Sequence, residues 1–166
     1  MTSIVPNLWF DTEAEEAARL YTSLFDDSRI TEVLPYPEGG RGEPGSTMLV
    51  TFELLGREYA AINGGPQFPF TEAVSFEVLC DNQEEVDRLW ETLTADGGQE
   101  VQCGWLKDRF GLSWQIVPRR WIELSNGDSA AGVQAAFAAM MDMKKLDVAE
   151  LERAYLAAAS SAPAPA

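Results

Sequence analysis

Histidine is absent from all 166 residues, and much chemistry leaves with it. No Ser-His-Asp or Cys-His relay can operate within the chain, and no imidazole can hold a metal ion. Cysteine is nearly absent: Cys80 and Cys103 have neither a CxxC spacing nor a secreted context. Both read as reduced, buried strand residues, with a reactive thiol as the alternative. Basic residues are few, 12 against 27 acidic ones, for a formal charge of −15. A surface this acidic repels phosphate backbones at long range, which argues against nucleic-acid and anionic-membrane partners. Otherwise it serves solubility and says nothing of substrate. No run approaches the ~18 uninterrupted apolar residues of a membrane span, and the opening MTSIVPN lacks the basic and apolar segments of a secretory signal. The expectation is a cytoplasmic protein.

What is present suffices for a packed interior, with 46% hydrophobic and 10% aromatic residues. The chain also repeats itself. FDTEAEEAARLY (10–21) resembles CDNQEEVDRLW (80–90) once one residue is deleted. Ala17, Leu20, Tyr21 and Leu24 recur at i, i+3, i+4, i+7, as do Val86, Leu89, Trp90 and Leu93, so both stretches predict amphipathic helices. Each follows an apolar strand (4–10 and 74–80), and each is introduced by Asp-Thr or Asp-Asn, residues suited to an N-cap. Strand-like runs follow at 29–34, 47–55 and 57–62, then at 99–103, 105–107 and 112–117. The chain therefore reads twice as β-α-β-β-β, with Asn63-Gly64-Gly65-Pro66 as the break. Two such modules can close their curved sheets around a shared cavity.

Beyond Val117, helical spacing returns in Val133, Phe137, Met140 and Met141 and again in Leu151, Ala154, Tyr155 and Ala158. Asp147 and Glu150 resemble a capping box for the second of these helices. The expected organisation is α+β: a single domain over 1–159, with module one at 3–64, module two at 72–118, helices within 128–158 and a disordered tail at 160–166. The helices are expected to pack on the sheets or across a homodimer.

The glycines of GGRGEPG, in the loop 35–46, precede a strand rather than a helix and carry two glutamates, unlike a phosphate cradle. The loop reads as a mobile surface segment long enough to serve as a lid. With no G-x-G-x-x-G turn, neither a dinucleotide nor an adenosylmethionine-type site is indicated. Among strand acids, Glu53 and Glu77 could do acid–base work or face solvent. The aromatics are more suggestive. A cavity lined by several of them with a few amides suits a flat or apolar small molecule, which makes Asn7, Trp9, Tyr59, Asn63, Trp105 and Gln115 the candidate ligand-binding set. For catalysis the candidates are Gln115 and Lys107 as hydrogen-bond donors and Cys103 as nucleophile. Lys107 reads equally as a turn residue of the hairpin in CGWLKDRFGLSWQIVP (103–118).

The duplicated pattern, WFDTEAEEAARLYTSLF, INGGPQFPFTEAVSFEV, CGWLKDRFGLSWQIVP and the closing AAFAAMMDMKKLDVAELERAY resemble, over about residues 3–157, the PhnB-like, glyoxalase-like branch of the vicinal oxygen chelate superfamily. Members of that branch often go by the name demethylubiquinone methyltransferase. The resemblance implies a glyoxalase/bleomycin-resistance-type curved sheet barrel. It also implies a divalent metal held by one side chain from the first and last strand of each module. Carried onto this chain, those positions are Ile4, Ala60, Val74 and Gln115, three of them aliphatic, and a lone amide is a poor ligand for a divalent ion. The expectation is a metal-free protein without cofactor whose barrel cavity binds a small organic molecule. The alternative is an enzyme of lyase, isomerase or transferase type acting on such a molecule.

Overall fold

A computed structural model describes residues 2–161, which divide between Phe70 and Thr71 into two compact units. In the first unit the chain forms β1 (Asn7–Phe10), α1 (Ala14–Ser23), β2 (Arg29–Pro35), β3 (Thr47–Leu54) and β4 (Arg57–Asn63). The sheet order is β1-β4-β3-β2, with β1 parallel to β4 and the other pairs antiparallel. In β3, Val50, Phe52 and Leu54 are buried while the residues between them are half-exposed, so one face of the sheet carries α1. The helix answers with Ala14, Ala17, Ala18 and Tyr21. Three alanines bring the helix axis close, and the Tyr21 ring lies 6.3 Å from that of Phe52. Between β3 and β4 the chain reverses through Leu55 and Gly56, both at positive φ, as a two-residue hairpin turn requires.

The second unit repeats the order with β5 (Ser75–Cys80), α2 (Gln83–Thr94), β6 (Gln99–Glu100), β7 (Trp105–Lys107) and β8 (Ser113–Pro118), in the sheet order β5-β8-β7-β6. Val86, Leu89, Trp90 and Leu93, the expected stripe, are all buried. The hairpin read in 103–118 is β7–β8, with Trp105 opposite Gln115 and Lys107 opposite Ser113. Three helices follow: α3 (Arg119–Ser125), α4 (Ala130–Met141) and α5 (Val148–Ser161). Leu124, Met140, Met143, Leu146 and Leu151 form their common core, and Asp147 caps α5 by accepting from the Glu150 amide at 2.8 Å.

Among the described residues the fold is α+β: two β-α-β-β-β modules, two four-stranded mixed sheets and five α-helices. Several expectations need correction. Helix α3 was not expected, because RRWIELS buries Leu124 alone and so carries no stripe. Helix α5 runs through Ser160 and Ser161, and the rest of the expected tail, 162–166, lies outside the described residues. Cys103 is not a strand residue: β6 ends at Glu100, and Cys103 and Gly104, both at positive φ, form a tight turn closed by the Trp105 amide on the Gln102 carbonyl at 3.1 Å. Strand β1 starts at Asn7 and β5 at Ser75, so Ile4 and Val74 precede the strands and are exposed.

The helix starts also differ from each other. Asn82 caps α2 as expected: its side chain accepts from the Glu85 amide at 2.9 Å, and Glu85 accepts from the Asp81 amide at 2.8 Å. Helix α1 has no such local cap, since Glu13 holds the N-cap position without capping. Its first amide, at Ala14, donates instead to the Asn63 side chain on β4, at 2.8 Å.

Candidate functional site

Strand β4 ends at Asn63 and runs into Gly64 and Gly65, beside the end of β1 and the start of α1. The loop 36–46 folds over the same edge, and between them is a cavity of about 760 Å³. Asp11, Glu15, Arg41, Glu43, Thr47 and Gln67 bring polar groups to its wall. A smaller recess of about 310 Å³ adjoins it, lined by Trp9, Met48, Ile62, Pro37 and Gly40. Tyr36, Arg41 and Gly64 belong to both linings. One end is therefore polar and charged, and the other apolar and aromatic, which suits an amphipathic small molecule.

Each wall is held in place. The Trp9 indole N–H donates to the Gly65 carbonyl at 2.8 Å, and its ring meets Phe68 edge-on at 5.0 Å. Gly64 passes under that ring so closely that a β-carbon there would lie 2.2 Å from it. Tyr36 donates its hydroxyl to the Asn63 carbonyl, and Gly42 packs on the Tyr36 ring, where a β-carbon would come within 2.3 Å. The loop is pinned further by Tyr36 N–H to Ser46 O at 2.8 Å and Gly45 N–H to Tyr36 O at 3.0 Å. Thr47 donates to Glu15 at 2.6 Å, and that bond, followed by the Arg19 contact, holds the Glu15 carboxyl below its usual range.

Of the candidate ligand set, Trp9 and Asn63 lie at these cavities. Asn63 is fully engaged, accepting from Ala14 and donating to the Thr47 carbonyl at 2.9 Å. Asn7 is exposed at the start of β1, opposite Ala60. Tyr59 lies outside both linings, paired with Phe52 across β3 and β4 and stacked on its ring at 5.5 Å. Trp105 and Gln115 are partners across β7 and β8 in the second unit. There Gln115 donates to the Ser75 hydroxyl at 2.9 Å. Beside it the buried Ser113 hydroxyl has no partner among the described residues. Lys107 is ion-paired with Glu72. Cys103 is half-buried with its sulfur 3.6 Å from that of Met141, while burial pushes the Cys80 thiol up to about 12. Tyr36, Arg41, Glu43 and Thr47 were missed as site residues. Their signal was the Gly-rich loop itself, whose position at a cavity depends on the β2–β3 pairing.

The superfamily's divalent metal does not fit the donors at the expected positions. Ile4, Val74 and Ala60 are aliphatic, and the Gln115 amide is bonded to Ser75. The sheet register sets Asn7 beside Ala60 and Glu77 beside Gln115, which adds one carboxylate and one amide. Among the described residues, no group of three or more Cys, Asp or Glu side chains is placed to hold an ion.

Fold and site together define a two-module α+β protein with a small-molecule-sized cavity on its first module. The family model described as 3-demethylubiquinone-9 3-methyltransferase matches residues 2–117. The chain belongs to that family. It is similar to the PhnB protein from Bacillus cereus, with 36% identity over 70% of this chain and 99% of that one and a TM-score of 0.65. It shares its fold with protein PA1353 from Pseudomonas aeruginosa, at 23% identity over 71% of this chain and 98% of that one, with a TM-score of 0.57. No curated protein matches the chain. The family match stops just before α3, so the three C-terminal helices lie outside it, although the resemblance was read to residue 157. Among the described residues, no helix is long and apolar enough to cross a membrane.

Proposed function

We propose that the protein binds a small organic molecule, without a divalent metal, in the paired cavities of its first unit. The apolar part of the guest lies against Trp9, Met48 and Ile62, and its polar part faces Arg41, Thr47 and the neighbouring carboxylates. One observation carries this reading: the Trp9 indole, on the wall of the apolar recess, is fixed by Gly65 and Phe68 and lies against Gly64, which lines both the recess and the polar cavity. A pre-positioned aromatic wall lowers the ordering cost of binding. The family's methyltransferase name finds no support in the described residues, among which no glycine-rich strand-to-helix turn is present to hold a methyl donor.

Thermal-shift screening with aromatic and apolar metabolites tests the reading, because a ligand that binds only the folded state raises the midpoint. Trp9→Ala and Gly64→Ala, which crowds the indole, should each abolish the shift while far-UV circular dichroism stays unchanged. A shift that survives both substitutions places the guest elsewhere. Protein purified without added metal should hold no stoichiometric divalent ion, and a chelator should leave ligand affinity unaltered. A stoichiometric ion that binding depends on sinks the metal-free reading.

A further inference from the structure

We propose that the guest of the Trp9 site is a zwitterion, an amino-acid-type molecule with an apolar or aromatic side chain; this rests on the reading of the site given above. Four charged residues line the larger cavity: Asp11, Glu15, Glu43 and Arg41. Glu15 is already engaged by Thr47 and Arg19. The side chains of Asp11, Glu43 and Arg41 have no hydrogen bond or ion pair among the described residues. Arg41 and Glu43 stand two positions apart on one loop, yet they do not neutralise each other.

Unpaired charges of both signs on one cavity wall complement a guest that carries both. A plain cation leaves Arg41 uncompensated and close by. A plain anion meets Asp11 and Glu43 in addition to the field of a chain with net charge −15. A neutral guest leaves all three charges unmatched. Arg41 lines both cavities, so a carboxylate held in its planar fork sits at the junction of the two. From that anchor the ammonium stays in the larger cavity with Asp11 and Glu43. The side chain enters the recess of Trp9, Met48 and Ile62. An aromatic side chain then finds the Trp9 ring face and the Met48 thioether, both favourable partners for a π-system.

Four compounds with one ring and one chain length separate the possibilities: phenylalanine, phenethylamine, 3-phenylpropionate and 2-phenylethanol, titrated calorimetrically into the full chain. Phenylalanine should bind at least about fivefold more tightly than each of the others, the margin expected of partly exposed charge pairs. Arg41→Gln should weaken phenylalanine and phenylpropionate but not the amine. Asp11→Asn should weaken phenylalanine and the amine but not phenylpropionate. Both positions are exposed, so the fold is not at stake. If 2-phenylethanol or phenethylamine matches phenylalanine, and Trp9→Ala removes that binding, the zwitterion proposal is overturned while the site stands. Failure of all four to bind also overturns it, and the metabolite screen with Trp9→Ala then judges the site separately.

Discussion

Asp108 accepts three hydrogen bonds within the β7–β8 hairpin. One carboxylate oxygen takes the amides of Phe110 and Leu112 at 2.9 and 3.0 Å, and the other takes the Trp114 indole N–H at 2.9 Å. The residue is 2% exposed. Removing the acceptor strands buried donors, and each costs its desolvation, so Asp108→Ala should lose about 3–5 kcal/mol of stability by urea denaturation. Asp108→Asn keeps one acceptor and should lose less. A loss under about 1 kcal/mol for the alanine variant removes the network from the account. The letters KDRFG marked the hairpin correctly but not this burial. Alternation tells which strand residues face inward, and it lapses within a turn, where the carboxylate folds back on its own backbone. Asn63 was likewise legible as a candidate amide. Its bonds to Ala14 and Thr47, far along the chain, depended on how the elements pack.

At the scale of elements, the two modules start their helices by different means, and substitutions should reveal it. Asn82 caps α2 locally, so Asn82→Ala should cost about 1 kcal/mol. Asn63 caps α1 from β4 and also ties β4 to Thr47, so Asn63→Ala leaves an amide and a carbonyl unpaired in a buried place. It should cost about 2–4 kcal/mol. The same variant should disturb the loop that Tyr36 tethers to the Asn63 carbonyl and so weaken ligand binding, which Asn82→Ala should leave unchanged. Equal costs and equal effects on binding would contradict the assignment. Most elements were legible because their periodicity is strong: α2 buries all four residues of its stripe, and the strands of both modules lie within a few residues of expectation. Helix α3 was not legible, since a single buried leucine carries no period, and the strand expected over 99–103 is shorter than its apolar letters suggest, ending at Glu100. The cavity was legible only as aromatics near strands, because a recess is made by residues from β1, β3, β4 and a loop at once.

For the whole molecule, charge governs stability in two opposing ways. At neutral pH the excess of acidic residues repels itself and weakens the compact state. Several carboxyls nevertheless sit below their usual range. For Glu15 the Thr47 hydrogen bond leads, for Asp87 the bond from Lys145, and for Glu100 the bond from the Trp90 indole at 2.8 Å. A carboxyl depressed in the folded state contributes stability that is complete above its unfolded value and is lost as pH falls through its folded one. These contributions should therefore fade below about pH 4.5. The three groups are partly exposed, so each contribution is small after solvent screening. Between pH 7 and 5 these bonds persist, so the thermal midpoint should stay nearly level before it falls. Added salt at pH 7 should raise the thermal midpoint by screening like charges, and near the isoelectric value of about 4.2 it should do little. Lys145→Met removes the ion pair that depresses Asp87, so the variant should lose less stability than the parent between pH 4.5 and pH 3. A parent whose midpoint falls steadily from pH 7 to pH 5, or a variant with the same acid limb, would contradict this balance of repulsion and local pairing.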